Sequence, residues 1–426
     1  MYRLILIIVF SVQISFAQGY TEYATGSSTD VAVNPDSGIC LMGGASENDE
    51  AMIWFLNKAN GGDVVVLRAS GSDGYNNYFY SELGVAINSV TTFVIDNEAG
   101  ATNEYVISKV EKAEAIWFAG GDQYDYVSYF KDNALEDAIN NFVNIKGGVI
   151  GGTSAGMAIL GSAYFFAQNG TITNAQALSN PYHVRATLGY NDFLEIPFLE
   201  NVITDTHYDD PDRRGRHSAF LARYATDNST RAFGIACNEY TSVCIDSDGK
   251  AYVYGDYPNY EEHAFFIQSN CTTTYLPETC TTGSPLNWIR NNEALKVYKV
   301  PGMTSGVNYF DLNDWQSGSG GVWQNWYINN GTFMTSAGVN PNCSDVLNAS
   351  NFNITTVSVY PNPFNAMITI QSEHSNLSFK MFDVSGKQIA ITSSTNTIDA
   401  SSLKSGIYFL KVEDQNGVKT FKLIKN

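Results

Sequence analysis

Positive charge is scarce in this chain, with 24 Lys and Arg against 43 Asp and Glu and a formal net charge of −19. A polyanion such as nucleic acid needs a basic face to neutralise its phosphates, and no Lys/Arg cluster provides one. Histidine is scarce as well, with five in 426 residues, so any histidine-dependent site has few candidates. The six cysteines make no C-x-x-C pair and join no histidine cluster, which removes the usual zinc frameworks. No motif asks for a metal or an organic cofactor. Long apolar runs are confined to the N-terminus. There Leu4 to Phe10 follows Arg3 and precedes Ser15-Phe16-Ala17, a small-x-small cleavage site. This run is too short to span a bilayer, so residues 1–17 read as a signal peptide.

Hydrophobic residues make up 44% of the chain and charged residues 16%, so most of it is expected to fold. The length suffices for a full core and an accessory domain. Export would place the six cysteines in an oxidising compartment. Cys271 and Cys280 bracket a short loop and are the expected disulfide, and Cys237 and Cys244 can face each other across a hairpin.

Short apolar segments alternate with helical ones through the first half. Gly38 to Gly44 reads as a strand ending in glycines, Asn48 to Ala59 as a helix and Asp63 to Ala69 as a β-branched strand. Strands at Thr91–Asp96 and Glu114–Ala119 follow, with helices over 101–110 and 124–144. Strands apolar throughout and separated by helices predict an α/β fold, a mostly parallel sheet covered on both faces. Ligands of such sheets bind beyond the strand C-termini. Past about residue 230 the pattern becomes strand-rich. Residues 303–345, dense in Trp, Tyr, Gly and Ser, read as an appended region on a main domain over 18–302.

One stretch carries specific chemistry. Val149-Ile150 runs into Gly152-Thr153-Ser154-Ala155-Gly156, and a helix start follows. This is a G-x-S-x-G nucleophile elbow. A serine hydroxyl is a weak nucleophile and must stand clear of the sheet, and flanking glycines permit the sharp turn. The Ala155 amide then points where an oxyanion would form. Such a serine needs a base, and the base needs an orienting group. His207 has the best setting of the five histidines, just beyond the apolar strand Val202-Ile203-Thr204-Asp205. Asp210-Pro211 then reads as a helix start, with His217 inside that helix as a packing residue. An esterase order, with His263 as base and Asp246 or Asp256 as acid, is the competing arrangement. A binding protein on an inactive scaffold is the non-enzymatic one.

Two resemblances follow from motifs. Tyr360-Pro361-Asn362-Pro363, Phe382-Asp383-Val384-Ser385-Gly386-Lys387, Leu403-Lys404-Ser405-Gly406-Ile407-Tyr408 and the Lys-rich end resemble the type A C-terminal sorting domain of type IX secretion systems. This implies a small all-β sandwich over 355–426 after a linker at 346–354. It also implies contact with the type IX machinery and passage through the periplasm and outer membrane to the surface or medium.

Gly120-Gly121-Asp122-Gln123, the elbow, Asp205-Thr206-His207-Tyr208 and Arg214-Gly215-Arg216 resemble the cyanophycinase/aspartyl dipeptidase family of serine peptidases. That resemblance implies a class I glutamine amidotransferase-like fold and a peptide substrate. It assigns Ser154 as nucleophile, His207 as base and Glu239 as third member, with Asp205 as the fallback acid. Amides of Gly121 and Ala155 would form the oxyanion hole, and Gln123, Asp205, Arg214 and Arg216 would bind substrate. The family carries a further arginine where this chain has Ala219 or nearby residues, so the expected class is a peptide or isopeptide with an acidic residue or a free carboxylate, with cyanophycin itself left open. The oligomeric state is left open, a dimer included.

Overall fold

The computed structural model describes residues 19–271, 274–343, 358–371, 378–383, 387–389, 392–393, 397–414 and 417–425. The expected signal peptide, the linker at 346–354 and part of the 383–387 turn lie outside these residues. The chain divides into two units, residues 1–343 and 344–426.

The first unit holds two sheets. Five strands at the centre of the larger one run parallel, in the order Ser89–Ile95, Asp63–Arg68, Ala115–Phe118, Val149–Thr153 and Gly38–Met42. Runs such as Val64-Val65-Val66-Leu67 are buried on both faces, which is why they carry no polar alternation. Antiparallel strands extend this centre on both sides. Tyr20–Gly26 pairs with Ser89–Ile95, and Ser242–Asp246 pairs with Gly38–Met42. The second sheet has eight strands among the described residues. Its parallel part is Phe233–Cys237, Val202–Asp205 and Ala163–Phe165. His263–Ser269, Leu295–Pro301, Val322–Asn329 and Thr332–Ala337 add to it antiparallel.

The expected parallel centre is therefore present, and antiparallel strands enlarge it. Residues 303–343 supply strands to both sheets, and Trp315 and Trp326 are buried in packing rather than displayed. Under the first sheet, Phe55 of helix Asp49–Lys58 meets Trp117 edge-on at 5.2 Å between ring centroids. Burying side chains of this size fully is worth about 2–3 kcal/mol each.

Several local expectations change. The long helix expected over 124–144 breaks at Asp132, whose φ of 61° no α-helix accommodates, and Asn133 caps a new helix, Ala134–Asn141. The helix expected from Asp210 starts at Arg214, because Asp209 and Asp212 bridge into a tight turn first. The disulfide pairing is also corrected. Cys271 bonds Cys343, not Cys280, and Cys280 is a buried free thiol. Cys237 and Cys244 do not share a hairpin. Cys237 lies in the second sheet and Cys244 in the first, since the chain crosses between sheets at Asn238–Thr241.

The second unit forms two four-stranded antiparallel sheets among its described residues. Their shared core holds Phe364, Ile368, Ile370, Met381, Leu410 and Leu423. Alternation such as Met367-Ile368-Thr369-Ile370, buried at every second residue, builds this core.

Candidate active site

Three side chains converge between the two sheets of the first unit. The strand Val149–Thr153 ends at Ser154, and a short helix, Ala155–Ala158, begins at once. The turn is tight enough that a Cβ on Gly156 would lie 2.3 Å from the Phe118 carbonyl oxygen. Ser154 itself has φ 53° and ψ −117°, a conformation that costs a non-glycine residue about 1–3 kcal/mol. Its amide is held by the Met42 carbonyl at 3.1 Å.

Ser154 Oγ lies 2.8 Å from His207 Nε2, and His207 Nδ1 lies 2.5 Å from Glu239 Oε1. Each partner comes from a parallel strand of the second sheet, His207 two residues past Val202–Asp205 and Glu239 two past Phe233–Cys237. The two strands are neighbours in register, which brings their following loops together. His207 and Glu239 keep 24% and 25% of their side-chain surface open, enough for a substrate to reach them. If Nδ1 carries the ring proton and donates it to the carboxylate, Nε2 is left to accept from the serine hydroxyl.

The sheets are tied together at this point. Thr204 Oγ1 donates to the Met157 carbonyl at 2.8 Å, linking the His207 strand to the elbow helix. The Gly43 carbonyl accepts from His207 N at 2.7 Å, and the Gly44 carbonyl from Tyr240 N at 3.1 Å. Gly44 has φ 115°, and a Cβ there would lie 2.4 Å from His207 Nε2. Asp209 Oδ1 accepts from Glu239 N at 2.9 Å. Arg213 brackets His207, with Nη1 donating to Thr206 O at 3.0 Å and its amide donating to Tyr208 O at 3.1 Å.

Gly43, Gly44 and Arg213 belong to no motif that marks them as site residues. A glycine pair ending a strand is a signal for the first two, but the strand's position beside the elbow strand is not written locally.

The other expected site residues are placed as follows. Gly120 sits beside the elbow, its Cβ position 3.5 Å from Ser154 Cβ, and Gly121 follows it with its Cβ position 3.7 Å from Ser70 Oγ. Ala155 takes the first helical position, where an N–H has no partner within its own helix. Gln123 opens the helix Gln123–Phe130, which Asp122 caps by accepting from Tyr124 N at 2.9 Å. Asp205 is not beside the His207 ring. It is buried, and Arg216 Nε and Nη2 donate to its two oxygens at 3.0 and 2.5 Å. Burial alone would push the Asp205 carboxyl up, yet the Arg216 guanidinium holds it below the usual range. Asp205 and Arg216 thus satisfy each other inside the wall of the site. Arg214 keeps its guanidinium half exposed, gripped by both oxygens of Asp212.

His217 is fully buried. Its Nε2 donates to Ile203 O and its Nδ1 accepts from the Tyr208 hydroxyl, both at 3.1 Å. Burial lowers its pKa to about 4, so it packs as a neutral ring. His263 is also buried, against Tyr257, while His207 is the ring that meets the serine.

Comparisons with known proteins bear on the family. Residues 68–250 match the model of peptidase family S51, and residues 358–426 match the secretion system C-terminal sorting domain. A cyanophycinase of Synechococcus elongatus is 23% identical over 225 residues, covering 51% of this chain and 65% of that protein. A cyanophycinase of Geminocystis herdmanii is 26% identical over 230 residues, covering 51% of this chain and 78% of its own length. The chain thus spans just under two thirds of the first of these relatives. Two solved structures also align. A peptidase from an acI-B1 Actinobacterium has a TM-score of 0.38 at 16% identity, covering 52% of this chain and 89% of its own. A putative peptidase E protein from Listeria monocytogenes EGD-e has a TM-score of 0.33 at 14% identity, covering 52% and 99%. The chain is therefore similar to peptidase family S51 over residues 68–250 and to the secretion system C-terminal sorting domain over residues 358–426.

Proposed function

We propose that this chain is a secreted serine peptidase acting through Ser154, His207 and Glu239. The observation that carries the reading is the unbroken hydrogen-bonded series Ser154 Oγ, His207 Nε2, His207 Nδ1 and Glu239 Oε1 at a strained strand-to-helix turn. His207 takes the hydroxyl proton as Ser154 attacks the scissile carbonyl, and Glu239 stabilises the imidazolium. Amides of Gly121 and Ala155 receive the oxyanion. His207 then returns the proton to the leaving amine, and water repeats the sequence on the acyl-enzyme.

Substrates are peptides or isopeptides, with an acidic residue near the scissile bond. The cyanophycinase relatives support that class. Gln123, on the helix following Gly120–Gly121, is assigned to the pocket edge. Asp205 and Arg216 are positioning residues, fixing the loop that carries His207 from within the wall of the site. The tail directs the chain through the type IX machinery to the cell surface or medium.

Fluorophosphonate labelling with mass mapping tests the nucleophile. The expected result is an adduct on Ser154, lost in Ser154→Ala and in His207→Ala. No adduct on folded wild-type protein would refute the peptidase reading. Cleavage of aspartyl and isoaspartyl peptides against neutral analogues then tests the substrate class.

A further inference from the structure

Cysteines 40, 237 and 244 are free thiols with no exposed surface, and the proposed peptidase chemistry uses none of them. Two of them meet. Cys40 on Gly38–Met42 and Cys244 on Ser242–Asp246 are direct partners across an antiparallel pair, with their sulfurs 3.7 Å apart.

The register says which kind of pair this is. Gly43 N donates to Thr241 O, which makes Gly43 and Thr241 a hydrogen-bonded pair. Hydrogen-bonded and non-hydrogen-bonded pairs alternate along an antiparallel ladder. Counting back, Leu41–Val243 is hydrogen-bonded, while Met42–Ser242 and Cys40–Cys244 are not. Side chains of a non-hydrogen-bonded pair approach most closely, with Cα atoms about 4.5 Å apart. That separation lies inside the range a disulfide bridges without moving the backbone. Cys237 differs. It belongs to the other sheet, and its thiol contacts the Leu41 carbonyl at 3.7 Å.

We infer that Cys40 and Cys244 form a second, cross-strand disulfide in the exported protein, beside the Cys271–Cys343 bond. Two thiols lose two protons and two electrons. A disulfide donor of the exchange-active protein class, or oxidised glutathione, accepts them and becomes two thiols. The exchange runs through a mixed disulfide and needs a thiolate, so it belongs to folding, before the core closes. In the folded chain both residues are fully buried, which shields the bond from attack by an outside thiolate thereafter. The bond would pin the strand that ends in Gly43 and Gly44, whose carbonyls hold His207 and Tyr240, to the strand that follows Glu239.

The test is thiol mapping of the full wild-type chain exported to a bacterial periplasm. Thiols are trapped with N-ethylmaleimide in denaturant, the chain is digested without reduction, and peptides are weighed. The expected result is a linked peptide pair carrying Cys40 and Cys244, lighter by two hydrogens than the reduced pair, with Cys237 and Cys280 alkylated. Alkylated Cys40 and Cys244 would overturn the inference, whatever the state of Cys271 and Cys343. So would a bond from Cys237 to either of them. The readout is a mass, so it stands apart from whether the chain is a peptidase.

Discussion

Gly44→Ala separates catalysis from folding at this site. The new Cβ would lie 2.4 Å from His207 Nε2 and 2.5 Å from Cε1, where van der Waals contact needs about 3.5 Å. The obstacle is the tip of a side chain rather than backbone, so the ring can yield by about 1 Å without disturbing the sheets. Yielding moves Nε2 from its 2.8 Å contact with Ser154 and strains the 2.5 Å contact with Glu239. A displacement of that size costs on the order of 100-fold in rate. The fold bears only the strain of an alanine at φ 115°, about 1–3 kcal/mol, against a usual stability of about 5–15 kcal/mol. Fluorophosphonate labelling rates and thermal unfolding of wild type and Gly44→Ala measure the two effects separately. The expected result is labelling slowed by about 100-fold in a protein that still unfolds cooperatively within a few degrees of wild type. Labelling at the wild-type rate would show that the ring does not depend on the absence of a Cβ at Gly44, and the site geometry would be refuted.

Three further outcomes are expected. Glu239→Gln keeps the shape but turns the His207 tautomer the wrong way, so turnover falls on the order of 10³- to 10⁴-fold with the unfolding midpoint little changed. Asp205→Asn leaves the Arg216 cation buried without its partner and lowers stability by about 3–5 kcal/mol in denaturant titration, and adding Arg216→Met restores part of the loss. His217 has a folded pKa of about 4 against about 6.5 in the unfolded chain. The unfolded state therefore binds the proton first, and stability present above pH 6.5 falls by about 3 kcal/mol as pH drops to 4. Unfolding midpoints followed across that window check the sign, since His217→Gln is expected to flatten the slope whatever its own cost.

The amino-acid sequence by itself determined the local chemistry of this protein. The glycines around Ser154 dictate a turn that only a strand-to-helix elbow makes. The β-branched run Val64–Leu67 dictates a strand buried on both faces, and the alternation in the tail dictates small antiparallel sheets. His207 could be picked out because it stands just past an apolar strand. What the sequence could not fix was the pairing of distant segments, because a continuous apolar strand matches almost any apolar neighbour. Only the tertiary structure decided that the strands divide between two sheets and that Gly38–Met42 lies beside the elbow strand, placing Gly44 against His207. It decided that Cys271 meets Cys343, 72 residues away, since spacing along a chain does not report distance in space. It also set Asp205 and Arg216 against each other in the wall of the site, where two charges stay buried only because each satisfies the other.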